Sequence, residues 1–352
     1  MSEIAIRVEG HAGRITLQRP KALNALTYDM IRAINAALDD WQDDDAVQMI
    51  LIDAVGDKAF CAGGDIADLY RTGMAGDFAY GQRFWADEYR LNAKIATYPK
   101  PTVSFMQGFT MGGGVGIGCH CAHRVVNEAS VVAMPECGIG LVPDVGGSLI
   151  LARAPGHLGV YLGTTTRRVA GMDILYTGFG DHLVALADWE DCKARLLQSC
   201  DPSTLPISSQ DEVLASAELV KMRPWIDACF SSDSLDAILT SLTEASDDPN
   251  TADLANESLK ALSRNSPLAM ACTVKMIQTL QAPGTDLRRA LQQEYRFTSR
   301  AMEHGDFLEG IRAAIIDKDR NPKWKHEIDS VPIKDIETML ASLKKEELRW
   351  ET

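Results

Sequence analysis

The stretch that most constrains this chain runs from Val103 to Ser148. It opens with a strand-like apolar piece, passes through Gly112-Gly113-Gly114 into an apolar helix-like piece, and closes in Met134-Pro135-Glu136-Cys137-Gly138-Ile139-Gly140-Leu141-Val142-Pro143-Asp144-Val145-Gly146-Gly147. Glycine at such a junction lets backbone N–H groups point into open space at a helix N-terminus, where negative charge is favoured. Two carboxylates, Glu136 and Asp144, follow in an otherwise uncharged run punctuated by glycine. A bare N–H pocket beside apolar-flanked carboxylates suits chemistry at a carbonyl that becomes an oxyanion.

Around this centre, strand and helix patterns alternate. Glu3–Glu9 alternates with Ile4, Ile6 and Val8 apolar, and Arg14–Leu17 resumes after the Gly10-His11-Ala12-Gly13 break, which predicts a hairpin. Thr27 is placed to cap a helix whose apolar positions Met30, Ile31, Ile34, Ala37, Leu38 and Trp41 recur at three and four. A short buried-type strand follows at Met49–Ile52. Polar helix is expected from about Ala67, helix again over Gly81–Ala96, strand at Val103–Phe105, helix from about Val115 and strand at Arg124–Val126. Strand, strand, helix, strand argues an α/β arrangement. Beyond about Leu197 the spacing turns helical: Glu212–Val220, Trp225–Phe230, Leu235–Leu242, Leu254–Leu262, Ala269–Gln281 and Leu287–Met302. Cys200–Gln210 reads as a linker. The expected organisation is a core over residues 1–200 and a helical C-terminal region over 201–352.

A net charge of −14 over 352 residues argues against nucleic acid as a partner, since phosphate binding needs a basic surface. An anionic small ligand would have to be held by local cations against that field. The eight cysteines show no framework spacing and read as reduced thiols. The start of the chain carries neither a secretory nor a transit pattern, and no apolar run approaches the ~20 residues of a spanning helix. A soluble, cytoplasmic protein is expected, with no membrane partner.

Several constellations are absent. There is no Gly-x-Ser-x-Gly elbow, no Walker A loop and no complete Gly-x-Gly-x-x-Gly. Cys119-His120-Cys121 with His123 lacks zinc-site spacing, so no metal is expected. Cys61-Ala62-Gly63-Gly64-Asp65 is a second glycine turn leading into helix; it can be an ordinary turn, or a second N–H donor to the same carbonyl oxygen. Glu136 and Asp144 can be solvated or capping loop carboxylates. Alternatively, in an apolar pocket, their pKa rises toward the range useful for acid–base work.

Three linked motifs carry a family likeness. Ile15-Thr16-Leu17-Gln18-Arg19-Pro20-Lys21-Ala22-Leu23-Asn24-Ala25-Leu26, Ala59-Phe60-Cys61-Ala62-Gly63-Gly64-Asp65-Ile66 and Met111-Gly112-Gly113-Gly114 together resemble the crotonase (enoyl-CoA hydratase/isomerase) superfamily. The resemblance implies a spiral of strand–strand–helix turns that binds acyl-CoA, with the thioester oxygen between the N–H groups of Gly64 and Gly113. Hydratases of that superfamily carry a glutamate two residues past the last glycine of the triple run; here that position is Gly116. Their other glutamate matches Glu136.

Further features resemble the 3-hydroxyisobutyryl-CoA hydrolase family: Pro135-Glu136 followed by Pro143-Asp144-Val145-Gly146-Gly147, the segment Asp87-Glu88-Tyr89-Arg90-Leu91-Asn92, and a tail from Asp306 through Ala313 to Asp317-Lys318-Asp319-Arg320-Asn321-Pro322-Lys323-Trp324. By that likeness Glu88, Gly113, Glu136 and Asp144 contact the acyl group, and the reaction is cleavage of a 3-hydroxyacyl-CoA as in valine breakdown. Glu136 would attack the carbonyl or act as base on water. Asp144 would position or deprotonate that water, or bind the 3-hydroxyl, and Glu88 would hydrogen-bond the hydroxyl. No cofactor is implied, since CoA is part of the substrate. Arg19, Lys21, Ala62, Asp65 and Ile66 are the candidates for contact with the CoA moiety, with Lys318, Arg320 and Lys323 in the tail as further cations; each cation can equally be a solvated surface charge. An enoyl-CoA hydratase/isomerase and a non-catalytic acyl-CoA-binding protein stand as alternatives. The superfamily often forms trimers or dimers of trimers, so a homo-oligomer is also open, although the tail could cover those contacts within one chain.

Overall fold

The structure, a computed structural model, describes residues 2–350; residues 1, 351 and 352, at the ends of the two expected regions, lie outside the described residues. The chain opens as a hairpin. Strand β1 (Ile4–Glu9) pairs antiparallel with β2 (Ala12–Leu17), Ile4 facing Leu17. The helix Tyr28–Gln42 starts where Thr27 accepts a hydrogen bond from the Met30 N–H, and its buried residues are Met30, Ile31, Ile34, Ala37, Leu38 and Trp41. The cap and the apolar stripe are local features, so this element follows the sequence pattern closely.

Eight further strands complete two sheets: β3 (Met49–Ala54), β4 (Ala59–Cys61), β5 (Thr102–Phe105), β6 (Phe109–Met111), β7 (His123–Val126), β8 (Val131–Ala133), β9 (Val169–Ala170) and β10 (His182–Leu183). One sheet has the order β1-β2-β3-β5-β7-β10 and the other β4-β6-β8-β9. Successive turns of chain therefore give one strand to each sheet, and β3, β5 and β7 stack parallel while β4, β6 and β8 do the same. This is the expected spiral of strand–strand–helix turns. Parallel strands need crossovers, and the segments between β4 and β5 and between β6 and β7 supply them with helices.

The chain divides into two compact units. The first comprises residues 1–65, 87–133 and 168–220 and holds both sheets; the second comprises 66–86, 134–167 and 221–352 and is helical. In the first, Ala12, Met49, Leu51, Val103, Phe105 and Val125 bury against Val184, Trp189, Leu196 and Leu205. Phe105 and Trp189 meet edge to face at 5.1 Å. Asp53 is buried at the end of β3, held by Arg14 at 2.6 Å, Thr16 at 2.7 Å and Lys193 at 3.3 Å.

The two units are interleaved, so they do not part at residue 200 as expected. Residues 134–167 belong with the helical part because their apolar side packs on the helix Pro267–Leu280: Cys137 Sγ lies 3.3 Å from Thr273 Oγ1, and Gly163 faces Thr273 and Ile277. Smaller departures occur in the helical pattern. The helix expected over Glu212–Val220 is two helices, Gln210–Ser216 and Glu218–Phe230. A capping box between Ser209 and Glu212 starts the first, and an extended Ala217 separates it from the second. The helix expected from Gly81 begins at Phe78, and the one expected from about Val115 begins at Gly113.

Candidate active site

In the first unit the two glycine turns converge. Gly112, at φ 48°, turns the chain out of β6, and Gly113 becomes the first residue of the helix Gly113–Gly118. N–H groups in a first helical turn have no acceptor within the helix. Leu26 bridges Gly64 in parallel through its neighbours: Leu26 N–H donates to Gly63 O at 2.9 Å, and Asp65 N–H donates to Leu26 O at 2.7 Å. The bridge thus leaves the Gly64 N–H itself unused. A methyl group on Gly113 would lie 3.3 Å from the Gly64 nitrogen and 2.8 Å from Glu88 Oε1. Gly64, Gly113 and the buried Glu88 are therefore gathered at one point. Gly114 has a packing reason instead, since a methyl there would meet the Cys61 carbonyl oxygen at 2.3 Å. Burial, with the nearby Glu88 charge adding to it, pushes the Cys61 thiol up to about 12, which keeps it protonated and removes it as a nucleophile.

The residues considered for the CoA moiety fare unequally. Arg19 donates to Ala25 O at 2.6 Å and pairs with Asp65 at 2.9 Å and Glu3 at 2.9 Å, so its guanidinium is committed within the fold. Ala62 donates its N–H to Leu23 O at 3.0 Å, tying the second glycine turn to the first motif. Lys21 is exposed and, with Pro20, Asn24, Gly56, Asp57 and Lys58, lines a cavity of about 290 Å³. In the second unit, Ile66 precedes the helix Ala67–Met74, and Lys318, Arg320 and Lys323 are exposed.

The second unit carries Glu136 and Asp144. Glu136 opens a short 3-10 turn, Glu136–Ile139, after Pro135, and is only 4% exposed. Asp144 is 5% exposed, among Leu141, Val142 and Val145, which are buried. Burial of both excludes the reading as solvated loop carboxylates. The turn at Asp144 closes by Gly147 N–H donating to Asp144 O at 2.7 Å, with Val145 at φ 52° and Gly146 at φ 79°. A β-branched residue at positive φ is strained, and such strain clusters at functional sites.

The tail buttresses this loop within the same unit. A methyl on Gly140 would meet Asp306 O at 2.6 Å, and one on Gly310 would meet Ile139 O at 2.2 Å, so the two backbones touch. Asp306 is fixed by Ser266 Oγ–H at 2.6 Å and Lys325 N–H at 3.0 Å. Arg312 gathers Glu309, Asp317 and Asp319 around itself, and Trp324 Nε1–H donates to Arg264 O at 3.2 Å. The tail motif is thus a scaffold for the Glu136–Asp144 loop.

One buried carboxylate escaped the sequence reading. Glu294, with no exposed surface, accepts from Gly146 N–H at 2.8 Å, from Ser148 N–H at 3.3 Å and from Ser148 Oγ–H. Burial pushes its pKa up to about 8, with the Asp144 charge acting in the same direction. A signal was available: Ala290, Leu291, Gln293, Phe297, Thr298, Ala301 and Met302 are buried in the helix Leu287–His304, and Glu294 is buried among them. Among the described residues no group of three or more His, Cys, Asp or Glu side chains is placed to hold a metal ion.

The model of the enoyl-CoA hydratase/isomerase family matches residues 12–340. The 3-hydroxyisobutyryl-CoA hydrolase, mitochondrial, of Danio rerio is 39% identical over 92% of this chain and 85% of its own length. The protein of the same name from Homo sapiens is 35% identical over 99% of this chain and 91% of its own length. Of solved structures, an enoyl-CoA hydratase from Rhodobacter sphaeroides 2.4.1 superposes with a TM-score of 0.93 at 51% identity, covering 99% of this chain and 100% of that one. A carnitinyl-CoA dehydratase from Mycobacterium thermoresistibile gives a TM-score of 0.88 at 36% identity, covering 100% of this chain and 99% of that one.

Proposed function

Because the chain belongs to the enoyl-CoA hydratase/isomerase family, we propose that it is a thioester hydrolase that cleaves 3-hydroxyisobutyryl-CoA, or a closely related short 3-hydroxyacyl-CoA, to the free hydroxy acid and CoA. The observation that carries this reading is the set of carboxylates. Glu88, Glu136 and Asp144 are all buried, while the position at which the family's hydratases hold their second glutamate is Gly116, inside the buried helix Gly113–Gly118. With no carboxylate there, water addition across an enoyl double bond lacks one of its two acid–base groups.

In this reading the thioester carbonyl oxygen takes the N–H groups of Gly64 and Gly113 as its oxyanion donors. One such donor is typically worth ~10²–10³ in rate, so the pair is the largest electrostatic contribution. Glu136 attacks the carbonyl carbon to give a mixed anhydride that water then hydrolyses, or removes a proton from the attacking water. Either way the C–S bond breaks and CoA leaves as its thiol. Asp144 positions the water or takes its proton, and Glu88 receives a hydrogen bond from the 3-hydroxyl. A site built to satisfy that hydroxyl rejects analogues lacking it, because a buried polar group is left unpaired.

The CoA part belongs with the exposed Lys21 and its cavity, supported by the commitment of Arg19 to Asp65 and Glu3. Valine breakdown supplies the context in which such a hydrolase acts, and the eight free cysteines agree with a reducing compartment.

The alternative is a hydratase, the name borne by the solved relative at 51% identity. The two separate cleanly in a thiol-release assay across acyl-CoAs with and without a 3-hydroxyl. The hydrolase reading expects thiol from the hydroxylated substrates and little from the others. Equal rates on both classes would sink hydroxyl recognition, and no thiol from any would sink hydrolysis.

A further inference from the structure

We propose that Glu294 is a positioning residue: its carboxyl group clamps the turn Asp144–Ser148 and thereby fixes where the Asp144 side chain lies. The positioning role rests on the reading of Asp144 as part of the thioester chemistry, but the clamp itself is visible without it.

The turn is built to need a clamp. Val145 and Gly146 are consecutive residues at positive φ, 52° and 79°, and the first is β-branched. Strain of this kind persists only where the surroundings hold it. Glu294 helps to hold it, from a helix position 148 residues beyond Gly146 in sequence. One oxygen receives the Gly146 N–H at 2.8 Å, and the other receives both the N–H, at 3.3 Å, and the hydroxyl of Ser148. The two oxygens thus hold both ends of the Gly146–Ser148 step, the start of the helix Gly147–Arg153. Asp144 is two residues before the first clamped N–H, and its own carbonyl closes the turn on Gly147 at 2.7 Å.

The clamp is costly for a merely structural part. Glu294 has no exposed surface and is the one ionisable side chain among the buried residues of its helix, which are otherwise Ala290, Leu291, Gln293, Phe297, Thr298, Ala301 and Met302. An apolar side chain would fill that place without desolvating a carboxyl group. The carboxyl group supplies two acceptor oxygens at a fixed separation, which no apolar residue and no single amide offers.

The test uses Glu294→Gln, Asp144→Asn and the double variant, with Ser148→Ala as a milder perturbation that keeps both backbone N–H donors. In Glu294→Gln, one backbone N–H loses its acceptor whichever way the amide faces. Hydrogen exchange at Gly146 or Ser148 should therefore quicken, with no substrate involved. In thiol release, kcat should fall by up to about 10²-fold with KM within about twofold, as for a misplaced group. The double variant should be no slower than Asp144→Asn alone, because residues that act as a unit are non-additive. Ser148→Ala should fall between wild type and Glu294→Gln in both readouts. Unchanged exchange at both amides, or losses that multiply in the double variant, would overturn the proposal. Absence of thiol release from the wild type would instead overturn the hydrolase reading, and the exchange measurement would still decide the clamp.

Discussion

Gly113 brings its bare Cα so close to Glu88 that a methyl group there would stand 2.8 Å from the Glu88 Oε1 atom. The same methyl would lie 3.3 Å from the Gly64 nitrogen, the other proposed oxyanion donor. A side chain at this point would have to push the Glu88 carboxylate aside and crowd the donor it faces. Gly113→Ala keeps the backbone N–H but presses on Glu88 and on the Gly64 nitrogen, so kcat is expected to fall, by no more than the ~10²–10³ that one oxyanion donor is worth. The check is thiol release alongside a circular dichroism melt. A variant that folds yet keeps wild-type kcat would mean that the Glu88 carboxylate can move aside without disturbing the donors.

Glu88 is assigned to the 3-hydroxyl, so its removal should be felt by substrate choice. Glu88→Gln is expected to narrow the preference for 3-hydroxyacyl-CoA over the unsubstituted acyl-CoA, by about 1–3 kcal/mol or roughly 10–200-fold. Competition between the two substrates measures this ratio directly. If both rates drop by the same factor, Glu88 serves the thioester and not the hydroxyl.

How much of this was legible beforehand depended on range. The helix Tyr28–Gln42 was readable because Thr27 and the stripe from Met30 to Trp41 lie within one element. The convergence of Gly64 and Gly113 was not, because it depends on the Leu26–Gly64 bridge and on a helix laid over the Cys61 carbonyl. For Arg19 the motif leaves contact with the CoA moiety and a solvated surface charge both open, and its partners Glu3 and Asp65 come from other segments. Glu294 escaped because a carboxylate among a helix's buried residues reveals its purpose only once its partners at Gly146 and Ser148 are known. The interleaving of the two units has the same cause: contacts such as Cys137–Thr273 join segments far apart in sequence.

Acid sensitivity should concentrate at Asp53. Burial opposes its charge, but the hydrogen bond from Arg14, the Lys193 charge and the Thr16 hydroxyl outweigh burial and hold its pKa below the ordinary 3.8. A carboxylate with a lowered folded-state pKa contributes stability that is complete above the unfolded value and is lost as pH falls through the folded one. Asp53→Asn is therefore expected to cost about 3–5 kcal/mol at neutral pH, as for breaking a buried pair. The difference from wild type should shrink well below pH 3.8. Urea denaturation at both pH values checks the sign, and a gap that widens in acid would contradict it.

The tail should matter to the loop it touches. Gly310→Ala would press a methyl onto Ile139 O at 2.2 Å, a backbone atom that cannot turn aside. A loss of about 1–3 kcal/mol is expected, as for overpacking, read as a lowered Tm. An unchanged Tm would mean that the tail can lift off the Glu136–Ile139 turn without cost.

The proposed hydrolysis needs Glu136 and Asp144, with Gly116 where a second hydratase glutamate would stand. The most direct measurement gives the purified protein 3-hydroxyisobutyryl-CoA and, separately, crotonyl-CoA, following free thiol and enoyl absorbance in each. The predicted result is thiol from the first substrate, abolished in Glu136→Gln, with the crotonyl absorbance unchanged. Loss of crotonyl absorbance without thiol from either substrate would contradict it.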